Sequence, residues 1–173
     1  MTGARAMASM ARIIRVAVAG RHPRRTALRA ALIALVASLV FGRVWRPAWV
    51  AGESMAPTVP DRSFRFVALL RYARRDPQPG DIVAVRMAGR RVMYLKRVLA
   101  TGGDRIAFSN GVLRVNGVVR PEPYVQFHGD WTFAETTLAA DEFFVAGDNR
   151  ALPPPAHVAG AVRRDRIAGG LLY

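Results

Sequence analysis

Cysteine is absent from this sequence, which excludes disulfides, thiolate metal sites and thiol nucleophiles. Acidic side chains are scarce, 12 against 26 basic ones. The resulting net charge of +14 suits nucleic acid and an anionic membrane surface equally, so it selects neither. Lysine is scarcer still: 25 of the 26 basic residues are arginine, and Lys96 is the exception. Arginine stays protonated under biological conditions, whereas a buried lysine can give up its proton, so of the two only lysine can act as a base. A lysine-poor composition produces the same count, which marks Lys96 without assigning it a task. The three histidines stand outside any motif and read as surface residues: His22, His128 in a Gly-Asp-Trp loop, and His157 beside a proline run. Neither histidines nor carboxylates cluster at ligand spacing, so no metal and no cofactor is expected.

Long apolar runs are also missing, with one partial exception. Residues 27–42, ALRAALIALVASLVFG, are apolar apart from Arg29 and follow the cluster Arg21, His22, Arg24, Arg25. The uninterrupted part, 30–42, has 13 residues, short of the ~20 that cross a bilayer as a straight helix. Crossing requires Arg29, Arg43 and Arg46 to reach toward the head groups, with Trp45 and Trp49 at the interface. A cleaved leader or a buried helix shares this pattern, but no small-x-small cleavage site follows the run, which favours a retained anchor at 27–48. The arginines ahead of it favour a cytoplasmic N-terminus. That assigns 1–26 to a basic arm, or to an amphipathic helix carrying Ile13, Ile14, Val16 and Val18. Residues 49–173 then form an extracytoplasmic domain.

Beyond the anchor the pattern changes to short β-rich runs at 64–70, 82–87, 92–100, 106–108, 112–115 and 142–146, separated by Gly and Pro. Such spacing predicts a compact, mostly β, antiparallel domain with no long helix. Asn110-Gly111 and Asn116-Gly117 supply the positive φ angles of tight hairpin turns and bracket 112–115 as a strand.

Ser54 sits in Gly52-Glu53-Ser54-Met55-Ala56-Pro57-Thr58, a turn that holds a hydroxyl near its apex. Lys96 sits in Met93-Tyr94-Leu95-Lys96-Arg97-Val98, where strand alternation sends Tyr94, Lys96 and Val98 to one face. Desolvation there lowers the lysine pKa, and a neutral amine within reach of Ser54 can take the hydroxyl proton during attack on a carbonyl.

The blocks GESMAPT, GDIVAV, YLKRVLATGGD and GDNR, in this order behind an apolar segment, closely resemble the bacterial type I signal peptidases, over roughly residues 27–170. The resemblance implies a β-fold of the signal-peptidase and SOS-repressor protease type behind one membrane helix. It also implies a membrane serine endopeptidase that removes signal peptides from exported precursor proteins, with Ser54 as nucleophile and Lys96 as general base. Met55 then packs beside the site, Gly52, Glu53 and Tyr94 border it, and Gly147, Asp148, Asn149 and Arg150 shape it. Leu113-Arg-Val-Asn-Gly117 and Glu122-Pro-Tyr124 resemble the hairpin region of the family's shorter members and speak for the fold, not the chemistry. Implied partners are the precursors and the lipid membrane, with no nucleic acid. The implied location is the inner or plasma membrane, single-pass.

Two departures stand out. Gly52 occupies a position where some members carry an oxyanion-holding serine. After GDNR the family's serine and Asp-Ser-Arg group are replaced by Ala151-Leu-Pro-Pro-Pro-Ala-His157. The second points to a specialised relative, such as the peptidases that mature pilins in conjugative transfer. Two rivals remain: a self-cleaving Ser/Lys regulator, which would lack the membrane segment, and a non-enzymatic basic module gripping nucleic acid or lipid.

Overall fold

A computed structural model describes residues 22–86, 93–157 and 159–172, with backbone alone at 156 and 157. The basic arm through residue 21, the strand ends expected at Met87 and Val92, and the His157 side chain lie outside what is described. The chain divides into two compact units, Met1–Arg43 and Val44–Tyr173.

In the first unit, helix α1 (Pro23–Val44) opens on a proline, whose fixed φ suits the first helical position, and carries Arg43 in its last turn, where a cation meets the negative helix end. Its 22 residues span about 33 Å at 1.5 Å per residue, enough for the ~30 Å hydrocarbon core. The apolar run alone is too short, so the extra length comes from the flanking arginine-bearing turns. None of the helix is buried, and by length and composition it can cross a membrane.

The second unit is two antiparallel sheets. The larger has seven strands in the order β1-β2-β11-β3-β4-β9-β10, and the smaller has four in the order β7-β6-β5-β8. Their ranges are β1 Trp45–Val50, β2 Ser63–Ala68, β3 Ile82–Arg86, β4 Met93–Thr101, β5 Arg105–Ser109, β6 Val112–Val115, β7 Val118–Val119, β8 Phe133–Thr137, β9 Glu142–Ala146, β10 Gly160–Arg163 and β11 Ile167–Leu171. Among the described residues the helical segments beyond the start of β1 are the short α2, Pro154–His157, and a single 3-10 turn, Arg164–Arg166. All six expected strands are present, those at 112–115 and 142–146 with the expected bounds and the others differing by one or two residues at their described ends. Residues 45–48, read as the end of the anchor, instead begin β1, which places Trp45 and Trp49 in a strand. Strands β1, β7, β8, β10 and β11 were not anticipated.

Asn110 and Gly111 (φ 46° and 78°) and Asn116 and Gly117 (φ 55° and 77°) make the two left-handed hairpin turns that bracket β6. The largest core cluster, with Leu99, Ile106, Phe108, Leu113, Val115, Trp131 and Leu138, joins β4 to the smaller sheet. A separate cluster of Met55, Val59, Ile82 and Leu171 ties the Ser54 turn down onto β3 and β11. Met55 is 2 % exposed, and truncating a methionine so buried to alanine costs about 2–5 kcal/mol. The serine turn is thus part of the folded core and not a loose loop.

Candidate active site

Lys96 comes from the middle of β4, paired with Val83 of β3, and is 2 % exposed. Alternation along β4 turns it to the same face as Tyr94, whose ring centroid lies 5.9 Å from its Nζ. Its Nζ donates to Ser54 Oγ at 2.8 Å, across 42 residues of sequence. Burial drives the lysine pKa down to about 8, opposed by a smaller pull from the Asp148 carboxylate. A usable fraction is therefore neutral near physiological pH, and in that form the contact reverses, the hydroxyl donating to the amine lone pair.

Ser54 lies in a turn fixed at several points. Gly52 adopts φ +113°, in the region that favours glycine, and its N–H donates to Asp61 Oδ1 at 2.7 Å. That bond holds the Asp61 carboxyl below its usual range. The N–H of Asn149 donates to the Ser54 carbonyl at 3.1 Å, and its Nδ2 donates to the Glu53 carbonyl at 3.3 Å. Thr58 Oγ1 donates to Asp148 Oδ2 at 2.5 Å.

Asp148 is fully buried and is gripped by Arg97, which donates through Nε to Oδ1 at 2.9 Å and through Nη2 to Oδ2 at 2.6 Å. A paired fork of this kind keeps both charges in a dry interior. Arg97 is therefore the residue that keeps its charge beside Lys96, and a third N–H reaches the Gly80 carbonyl at 2.9 Å. Arg150, 3 % exposed, turns away from the serine. It donates to the Gly147 carbonyl and to both oxygens of Glu122, at 3.0 and 2.5 Å.

A cleft lined in part by Ser54 opens beside the dyad. The end of β1 and the following turn (Ala48, Trp49, Ala51, Gly52) form one wall, and the start of β4 (Met93, Tyr94, Leu95) faces it. The fold thus brings Ser54, Lys96, Gly52, Met55 and Tyr94 to one place, with Asp148 and Asn149 behind the serine turn. Glu53 contributes its backbone. Gly147 and Arg150 lie one layer further back.

The sequence reading missed Arg97, Asp61 and Thr58, and assigned Glu122 and Tyr124 to the fold alone. A charged residue directly after Lys96 on a strand must face the opposite side, and that was the available signal for Arg97. No local pattern marks Asp61 as the partner of Gly52. His22 and His128 are exposed, as expected.

Residues 24–172 match the family described as signal peptidase, peptidase S26. The chain is 28 % identical over 160 residues to signal peptidase IB of Staphylococcus aureus (strain Mu50 / ATCC 700699), covering 82 % of this chain and 83 % of that protein. It is 27 % identical over 127 residues to the probable signal peptidase I-2 of Synechocystis sp. (strain ATCC 27184 / PCC 6803 / Kazusa), covering 70 % and 58 %. A crystal structure of a signal peptidase I from Enterococcus faecalis V583 aligns with TM-score 0.45 at 22 % identity, over 57 % of this chain and 98 % of that one.

Proposed function

Because the chain belongs to the signal peptidase family, peptidase S26, we propose that Ser54 and Lys96 are the working dyad of its serine endopeptidase activity, which removes signal peptides from secreted precursor proteins. One observation carries this assignment: the 2.8 Å contact between a buried lysine amine and a serine hydroxyl at the mouth of a cleft.

Neutral Lys96 takes the Ser54 proton as Oγ attacks the scissile carbonyl. The resulting ammonium then protonates the leaving amine as the peptide bond breaks. Water, deprotonated by the same amine, hydrolyses the ester left on Ser54. The Ser54 N–H supports the oxyanion, and Gly52 supplies no hydroxyl for that purpose. The precursor lies extended in the cleft between β1 and β4, with small side chains ahead of the cut.

Helix α1 anchors the enzyme in the inner or plasma membrane, with the N-terminus cytoplasmic and the domain from about residue 49 outside. The replaced segment after Arg150 supports a second reading, a peptidase dedicated to a narrow set of precursors such as pilins. Incubating the purified chain with a precursor bearing small residues before the cut tests the dyad. Wild type should cleave it, and Ser54→Ala and Lys96→Arg should not. Equal cleavage by all three removes the assignment. Comparing a pilin precursor with a general exported precursor separates the dedicated from the general reading.

A further inference from the structure

The turn 147–150 is the backing of the nucleophile, since Asn149 holds the backbone of Ser54 and Glu53, and Asp148 holds Thr58 four residues after the serine. What holds that turn in place is a closed chain of side chains outside the cleft. Arg150 is pinned to both oxygens of Glu122 and sits 5.3 to 5.4 Å from the ring centroids of Trp131 and Phe108. Tyr124 donates its hydroxyl to Glu122 Oε1 at 2.7 Å and lays its ring against the Arg97 guanidinium, 3.9 Å from centroid to Cζ. Arg97 closes the loop by gripping Asp148. The three-residue segment Glu122 to Tyr124 therefore connects two buried arginine–carboxylate pairs, one through Asp148 and one through Arg150 of the turn that backs Ser54. Burial and the adjoining Glu122 carboxylate push the Tyr124 phenol above its ordinary pKa, so it stays a donor.

We infer that Glu122 and Tyr124 are positioning residues for catalysis, clamping the turn 147–150 at both ends so that the Ser54 hydroxyl stays in register with Lys96. Neither residue borders the cleft beside Ser54, so both act through the arginines and not on substrate. A buried fork fixes direction as well as distance, and Arg150 is held by five contacts, to a carboxylate, a carbonyl and two ring faces. The expected kinetic signature follows: a slightly displaced nucleophile lowers the chemical step and leaves ground-state binding alone.

The inference rests on the Ser54–Lys96 dyad, and its test uses the full-length protein in detergent with a precursor substrate. Glu122→Gln keeps the shape of the side chain and removes its charge. Its kcat should fall about tenfold, with KM within about twofold of wild type, at a temperature where circular dichroism shows it fully folded. A kcat reduced less than about fivefold, or a loss confined to KM, overturns the inference. If Glu122→Gln does not fold, Tyr124→Phe decides. It keeps the ring on Arg97, removes one hydroxyl, and should lower kcat at least about threefold with KM unchanged, a smaller loss or a change in KM alone being the contrary result. The two readings fail differently: an inactive wild type strikes the dyad and takes this inference with it, whereas an active wild type matched by both variants strikes only the brace.

Discussion

Strand β4 buries a cation on each of its two sides, one residue apart, and the surroundings give them opposite tasks. On one side Arg97 meets the Asp148 carboxylate in a two-pronged fork and remains charged. On the other, Lys96 meets a serine hydroxyl, an exposed tyrosine ring and apolar strand neighbours, and burial outweighs the pull of Asp148. Asp148 is close enough to be felt by the lysine, but its oxygens are already taken by Arg97 and Thr58. The difference teaches that a buried base needs a neighbouring arginine to absorb the available carboxylate. Without that partition Lys96 would hold a salt bridge instead of a free lone pair.

The sharpest way to break the comparison is to make the two sides alike. Lys96→Arg places a group that cannot deprotonate where the base stands, and peptidase activity should fall by about 10³-fold or more, as when one member of a catalytic unit is removed. Steady-state cleavage assays up to pH 10 check this, and appreciable turnover by the arginine enzyme at any pH would mean that position 96 is not the base. The reverse manipulation empties the charged side. Asp148→Asn strands Arg97 without its carboxylate, and an uncompensated buried charge costs about 3–5 kcal/mol. Thermal unfolding should drop by roughly 6–20 °C at about 2–4 °C per kcal/mol. In whatever fraction folds, the acid limb of kcat/KM should move below its wild-type position, because the carboxylate that raises the lysine pKa is gone.

How much of this partition could be read from the sequence depends on where the information is local. Lys96 stood out because it is alone among arginines, and Ser54 because Gly52 and Pro57 frame it. The hairpin around β6 was legible because Asn-Gly pairs state their turn type directly. Strand β11 was not: Ile167-Ala168-Gly169-Gly170-Leu171 has two glycines where a strand prefers β-branched residues. They are there because a Cβ at 169 would strike the Ala68 carbonyl and one at 170 the Arg71 side chain, a requirement set by the end of β2 and the turn after it, about a hundred residues away. Strand β1 carries Pro47, tolerable because it is an edge strand, and the tryptophans around it mimic the end of a membrane segment. The pairing of Arg97 with Asp148 spans 51 residues, and no local pattern specifies it.

The pH dependence of the rate sharpens the comparison without mutation. With Lys96 depressed to about 8, the neutral fraction rises tenfold per pH unit below that value. Hence kcat/KM should climb about fiftyfold from pH 6 to pH 8 and level off above pH 9 at about a hundredfold. A flat profile over this range would show that no group with such a pKa controls acylation, and a limb near 10.5 would show that burial does not depress the lysine in solution. The Ser54→Ala protein, titrated by NMR at the lysine ε-carbon, should give the same pKa and so separate the resting property from the kinetic one.

The smallest expected effect is on stability, and its sign distinguishes the two cations. Lys96 has a folded pKa of about 8 against about 10.4 for an unfolded lysine, so between those values the unfolded chain binds more protons than the folded one. Stability therefore rises with pH across that window, and the penalty of burying the ammonium is fully present below it. The gain is on the order of 1–3 kcal/mol. Arg97 contributes nothing in the same range, since an arginine is protonated in both states. Lys96→Met should abolish the rise from pH 8 to 10.4 and leave a flatter curve that is higher at pH 7. Denaturant unfolding of both proteins at pH 7, 8, 9 and 10 measures it, and parallel curves would mean that Lys96 remains solvated enough in the fold to keep its charge, since a lysine already neutral at pH 7 would give a still longer rise. That outcome would remove the reason for placing lysine rather than arginine at position 96.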